Sequence, residues 1–166
     1  MERQQFRDAM ARLGSAVTIV TSDGEAGIAG TTVSAVCSVT DQPPTLLVCL
    51  NRSSRNNTAF RRNGRLCINI LSAAHEDLAR TFSNGSLSAE ERFAQGRWRS
   101  GENGSPVLAG AAASLECGIA DISEVGTHSV FFCRVTAASA GEAEEGLVYF
   151  DRAFHRVGQP TSVASL

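Results

Sequence analysis

GTTVSAVCSVTDQPPTLLVCLNRSS, residues 30–54, is the stretch that decides how this chain is read. It runs as a hydroxyl-rich strand, a proline corner, an apolar strand and a polar loop. Thr31, Thr32, Ser34, Ser38 and Thr40 place hydroxyls along a segment whose composition otherwise favours β-structure. Asp41-Gln42-Pro43-Pro44 ends that strand, because two prolines supply no ladder donors. Residues 45–50 are almost continuously apolar and are expected to form a strand buried on both faces. Residues 51–58 then give eight consecutive polar side chains ahead of a helix pattern. Such a loop offers backbone and side-chain donors to an anion, above all at a helix N-terminus. Two donor-rich segments flanking an apolar strand suit a ligand with a flat polar ring and a phosphate tail.

Outward from this stretch the periodicity alternates between short helices and strands. Phe6, Met10 and Leu13 predict an opening helix over 4–13, and a strand follows over 16–21, ended by Asp23-Gly24. The hydroxyl-rich strand spans 28–39. Ser53 or Ser54 caps a helix through Phe60 that Asn63-Gly64 closes. A strand over 66–71 and a helix over 75–82 come next. Ser88-Ala89-Glu90-Glu91 reads as a capping box. Residues 96–106 read as a surface loop, and strands over 113–125, 129–136 and 147–157 complete the chain. No repeat or linker divides it. Seven or so strands without βαβ alternation point to a β-barrel rather than a doubly wound sheet.

Composition narrows the function classes. At 166 residues the chain is expected to be one domain, able to bury roughly 70% of its unfolded surface. A 43% hydrophobic content suits a globular protein, and no apolar run nears the roughly 18 residues that span a bilayer. The N-terminus, MERQQFRDAM, has no signal-peptide core, so a cytoplasmic location is the default. All fifteen basic residues are Arg, so any phosphate clamp must use Arg, a hydroxyl or a backbone N–H. With a net charge of −2 and dispersed basic residues there is no nucleic-acid footprint. Five cysteines without a CxxC pair argue against a disulfide framework. Cys37, Cys49, Cys67 and Cys133, in apolar strand-like runs, are expected as buried hydrophobes. No metal site is indicated.

Familiar catalytic motifs are missing. Gly24, Gly27 and Gly30 precede a strand and do not open a helix as a dinucleotide fingerprint would. There is no nucleophile elbow, zinc-protease helix or phosphate-binding loop. This is consistent with hydride transfer, where bound cofactors carry the chemistry and the protein supplies placement.

The blocks FRDAMARLGSAVTIVTSDG, SAVCSVTDQPPTLLVCLNRSS, GTH at 126–128 and GLVYFDRAFHRV at 146–157 together resemble one family. It is that of the short flavin reductases of two-component monooxygenases, typified by the reductase component of 4-hydroxyphenylacetate 3-monooxygenase. The resemblance implies a split β-barrel of the FMN-binding type, assembled as a homodimer. It implies an NADH-dependent enzyme that reduces FAD or FMN and hands free reduced flavin to a separate monooxygenase, NADH over NADPH being the family default. Thr31, Thr32, Val33 and Ser34 are implied to line the isoalloxazine ring, with Ser38 and Val39 beside it. Without the resemblance, Thr31–Ser34 would read as an ordinary strand. Cys49, Leu50, Asn51, Ser53, Ser54, Asn57 and Thr58 are implied for the ribityl chain and phosphate. Arg55 either reaches that phosphate or is solvated. His128 is implied to sit near the nicotinamide and the reactive edge of the flavin, in a catalytic role. Phe150, Arg152 and His155 are implied near the dinucleotide, and Phe82 near the flavin, though Leu78 and Phe82 also read as a helix core stripe. A tight-binding flavin carrier or sensor, a related reductase acting on a corrin or in pyrimidine catabolism, and a flavin-free interaction barrel are the alternatives.

Overall fold

A computed structural model describes residues 1–158. Along the chain the elements are α1 (Arg3–Met10), β1 (Ser15–Ala16), β2 (Thr18–Ser22), β3 (Ala29–Val33), β4 (Val36–Asp41), β5 (Pro44–Asn51), α2 (Arg55–Asn63) and β6 (Arg65–Ile70). A 3-10 turn (Ala73–His75) leads into α3 (Glu76–Ser83), followed by α4 (Ala89–Phe93), β7 (Trp98–Ser100) and β8 (Pro106–Leu108). Two long strands, β9 (Ala113–Val125) and β10 (His128–Ala140), precede the hairpin β11 (Gly146–Phe150) and β12 (Ala153–Val157). The fold is mainly β with short helices.

The main sheet is antiparallel with strand order β3-β2-β6-β9-β10-β5-β4. β3 and β4 are therefore neighbours in sequence but occupy opposite edges. Only Ser34 and Ala35 join them, so the sheet rolls until its two edges face each other there. No ladder joins β3 to β4 or β5 among the described residues. That unpaired seam positions the site.

Inside the rolled sheet, Val20, Val48, Phe60, Leu66, Ile68 and Phe131 are fully buried. Phe60 reaches this core from α2, whose start is capped by Ser54 and whose end is Gly64 at φ 68°. A second core lies under α3, where Phe82 contacts Phe93 and Trp98 at ring separations of 5.0 and 5.4 Å. Each such aromatic pair adds about 0.5–1.5 kcal/mol beyond its buried area. Gly30 permits this packing: a Cβ there would lie 2.8 Å from Phe82 and 2.9 Å from Phe93. Buried Asn69 links the strands, donating to the Ile19 carbonyl (3.1 Å) and accepting from Leu108 N–H (2.8 Å) and the Ser114 hydroxyl (3.1 Å).

Several expectations are corrected. The strand over 16–21 is broken at Val17, where the chain leaves the small β1-β11-β12 sheet for the main one. The strand over 28–39 is broken at the seam. β5 is not buried on both faces: Leu46, Val48 and Leu50 point inward, while Thr45, Leu47 and Cys49 are only half-buried. The loop over 96–106 contains the β7–β8 hairpin, which delivers Trp98 to the second core. The last strand is a hairpin turning through Asp151 and Arg152, both at positive φ. Cys37 is exposed and Cys49 half-buried, whereas Cys67, Cys117 and Cys133 are buried. α1 buries none of its residues, and Phe6, Met10 and Leu13 remain 51%, 45% and 61% exposed. No helix among the described residues is long and apolar enough to cross a membrane.

Candidate functional site

Three clefts lie side by side along the seam and share wall residues. The central one, about 280 Å³, is walled by Thr31, Thr32, Val33, Ser34 and Ala35 from the β3 side and by Cys49, Leu50, Asn51 and Ser54 from the β5 side. It carries hydroxyls and backbone groups but no charged side chain. At Ser34 and Ala35 it meets a cleft of about 650 Å³ under α1, which adds Gln4, Arg7, Tyr149 and Arg152. At Ser54 it meets a third cleft of about 520 Å³, whose walls include Arg55 and Arg92.

Several groups of the central cleft are held from behind. Thr32 donates its hydroxyl to the Ala79 carbonyl (2.7 Å), anchoring β3 to α3. Thr18 donates to the Val33 carbonyl (2.7 Å). The Asn51 side-chain oxygen accepts from both the N–H (2.9 Å) and the hydroxyl (2.8 Å) of Ser53, shaping the loop. Ser54 then accepts from Asn56 N–H at 3.3 Å as the helix cap.

His128 begins β10 directly opposite Asn51 in the β5–β10 ladder. Paired residues point to the same side of a sheet, so His128 shares a face with Asn51 and Cys49. The imidazole is exposed, with Nδ1 2.9 Å from the Thr127 hydroxyl. Arg152 is paired with Asp8 of α1. That pairing, with the Gln4 amide, holds the Asp8 carboxyl below the usual carboxylate range. His155 makes a 3.0 Å hydrogen bond from Nε2 to the Phe150 carbonyl, and the two rings lie 5.9 Å apart.

The structure does not bring together every residue singled out by sequence. Val33 and Leu50 turn their side chains into the core and offer the cleft only backbone. Phe82 is fully buried, packed on the far side of Gly30. Ser38 lines a separate apolar groove with Val36, Leu46, Ile70 and Val135, and Val39 is exposed on the same edge strand. Thr58 is exposed on α2 and lines none of the three clefts.

Asn57 departs furthest from the expectation. It is 3% exposed, and its amide faces inward. It donates to the Asn51 carbonyl (3.3 Å) and to the Ser129 hydroxyl (2.9 Å), and accepts from Arg61 Nε (2.8 Å). Arg61 and Ser129 also bond Glu124, and these contacts depress the Glu124 carboxyl. The network fixes the loop from below. Sequence reading missed Arg92 and the α1 residues of the second cleft. A charged residue one position before a core phenylalanine, in a helix opened by a capping box, was the available signal for Arg92.

A neutral, hydroxyl-lined slot beside a cationic cleft fits an uncharged polar ring carrying an anionic tail. The comparisons with known proteins agree with that geometry. The sequence profile of the family described as "Flavin reductase like domain" matches residues 10–158. The chain is 54% identical over 157 residues to an FMN reductase (NADH) of Ancylobacter novellus, covering 95% of this chain and 86% of that protein. It is 50% identical over 163 residues to the 4-hydroxyphenylacetate 3-monooxygenase reductase component of Pseudomonas aeruginosa, covering 98% and 96%. A Streptomyces globisporus NADH:FAD oxidoreductase, solved with NAD and FAD fragments, superposes with a TM-score of 0.87 at 29% identity, covering 99% of this chain and 96% of that one. On sequence and on fold, the chain belongs to the flavin reductase family.

Proposed function

We propose that this protein is an NADH-dependent flavin reductase that supplies free reduced flavin to a separate monooxygenase. The observation that carries the reading is that the three adjacent clefts share walls, at Ser54 and at Ser34 and Ala35. The central cleft takes the isoalloxazine ring, against the backbone of β3 and the hydroxyls of Thr31, Thr32 and Ser34. Asn51, Ser53 and Ser54 hold the ribityl end. The cleft under α1 takes the dihydronicotinamide dinucleotide, with Arg152 turning from Asp8 to its diphosphate. The names of the relatives favour FMN with NADH.

Together, the two cofactors supply a hydride donor carbon and an acceptor ring nitrogen. The protein's part is to hold them stacked and to shape charge. His128, opposite Asn51 in the β5–β10 ladder, is the residue we assign to orient the donor or to stabilise negative charge building on the ring. Because the seam is open, modest affinity and release of the reduced product follow.

The rolled sheet supports a split β-barrel in one domain. The apolar groove of about 400 Å³ beside β4 and the exposed Phe6 and Met10 of α1, with Leu13 just after it, support a homodimer. Light scattering tests the assembly. For the activity, NADH oxidation is followed by absorbance with FMN, FAD or no added flavin. Saturable consumption that requires free flavin supports the reading, and no consumption with either flavin refutes it.

A further inference from the structure

His128 is exposed, so packing does not hold its ring, and its placement depends on the turn that carries it. Val125 and His128 pair across a two-residue connection, Gly126-Thr127, with Gly126 at φ 57°. A hairpin turn this short is stiff within itself. What has to be fixed is how the whole turn sits against the loop that follows β5. Arg52 makes that connection. Its backbone N–H donates to the Thr127 carbonyl (2.9 Å) and its Nη1 to the Gly126 carbonyl (3.3 Å). Its Nε lies 3.2 Å from the Glu124 carboxylate. Glu124 also accepts from the Ser129 hydroxyl (2.9 Å) and from Arg61 of α2. One carboxylate thereby gathers the site loop, α2 and the strand that begins with His128.

Folding stability is a poor account of this cluster. The Arg52, Arg61 and Glu124 side chains are 56%, 37% and 38% exposed, and ion pairs taken singly at such exposure add little. Three donors converging on one anion do fix direction, because each contact restrains a side chain that the others already order. Hydrogen bonds from Arg61 and then from Ser129 keep the Glu124 carboxyl below the usual carboxylate range, so the cluster stays charged at neutral pH. Neither Arg52 nor Glu124 lines any of the three clefts. Their contacts are made with the turn and with each other.

We propose that Glu124, acting through Arg52, is a positioning residue for the reaction: it clasps the Gly126-Thr127 turn to the site loop and so holds the His128 imidazole in register with Asn51. The inference rests on the reductase reading above. Arg52 follows Asn51 directly, and Ser129 follows His128, so the clasp grips both members of the pair from the next residue along. Without it, the backbone bond from Arg52 to Thr127 still closes the ladder, but the turn is free to rock and the imidazole with it.

The test is a double-mutant cycle on NADH oxidation with saturating FMN. In Glu124→Gln and in Arg52→Ala, kcat is expected to fall by about tenfold with little change in melting temperature. In a His128→Ala background neither substitution should lower kcat further, because the ring they position is gone. Arg62→Ala breaks a comparably exposed ion pair, with Glu25, elsewhere on α2 and should leave kcat unchanged. Multiplicative losses in the double variants, a His128→Ala enzyme with wild-type kcat, or an equal loss in Arg62→Ala each overturn the proposal. Magnetic resonance of the imidazole protons gives a separate arm, tractable because the chain has three histidines. The His128 signals should shift or broaden in Glu124→Gln while those of His75 and His155 stay in place, and unchanged His128 signals overturn the proposal. That arm needs no turnover. If wild type consumes no NADH, the reductase reading fails by itself, and the His128 signals still decide whether Glu124 holds the ring.

Discussion

Asn57 donates its side-chain N–H to the Ser129 hydroxyl at 2.9 Å, joining the helix after the site loop to the strand that carries His128. Both residues are buried, and Ser129 passes the link on to Glu124. Removing the amide in Asn57→Ala leaves the Asn51 carbonyl and Ser129 under-satisfied, at a cost of about 1–3 kcal/mol. For a protein of this size each kcal/mol shifts the melting temperature by roughly 2–4 °C. Calorimetry should show that fall, together with weaker flavin binding. A variant as stable as wild type would mean the network is solvated.

The His75 ring predicts how stability changes with pH. Ser72 N–H approaches Nδ1 at 3.3 Å and the Ser72 hydroxyl at 3.0 Å. The N–H contact needs that nitrogen unprotonated. Burial holds His75 below its ordinary value of 6.5. As pH falls, the unfolded chain takes up the proton first, so the contribution is complete well above 6.5 and is lost below it. Melting temperatures between roughly pH 7 and 5 should therefore decline in wild type and flatten in His75→Asn. Glu124 and Asp8, depressed mainly by hydrogen bonds from Arg61 and Arg152, keep their contributions down to lower pH. Their loss, below their ordinary 4.5 and 3.8, persists in the His75 variant. An identical profile in both proteins would remove His75 from the account.

Thiol chemistry should be graded by position. Burial pushes Cys67 and Cys133 up to about 12 and Cys117 upward as well, while Cys49 is raised less by partial burial and by Cys37. With a disulfide reagent the native protein should show Cys37 reacting first, Cys49 slowly, and the other three only on denaturation. Rapid modification of all five at neutral pH would contradict the burial described.

Gly30→Ala tests the packing behind the central cleft. The added methyl meets Phe82 and Phe93 within 3.0 Å. Overpacking of this kind costs about 1–3 kcal/mol. Because Gly30 pairs with Thr21 and precedes Thr31, the displacement should also raise the KM for flavin more than the KM for NADH. A variant with wild-type stability and kinetics would show the aromatic cluster yielding freely.

Arg152→Ala separates the two ligands in the opposite sense. It frees Asp8 and removes one of the two arginines lining the cleft under α1, so the KM for NADH should rise while flavin affinity holds. Equal changes for both substrates would place Arg152 elsewhere in the cycle.

Much of this was legible from residue chemistry that acts locally. Ser54, Gly64 and the Ser88 capping box announce the helix ends because caps are made by their own neighbours. The break at Ser34 and Ala35 was not legible, since the alternation of hydroxyl and apolar residues runs straight through it and only the rolled sheet requires the turn. The inward turn of Asn57, expected at the ribityl chain and phosphate, was not legible for a related reason. Its burial depends on Ser129 and on Arg61 as part of one network, and Ser129 is distant in sequence. Trp98 and Arg92 likewise acquire their roles from α3 and β3, contacts that no local spacing encodes.

The strands on either side of the central cleft share no ladder, although each is firmly paired on its other side. Beyond the single Cys49 N–H to Ala35 carbonyl bond (3.0 Å) at its closed end, widening the slit between them bends a twisted sheet without unzipping a ladder. Exchange of a bound molecule is then an elastic event, with no local unfolding to wait for. Residence time at the slit is set by the occupant's own grip, so loosening a single contact should shorten it directly.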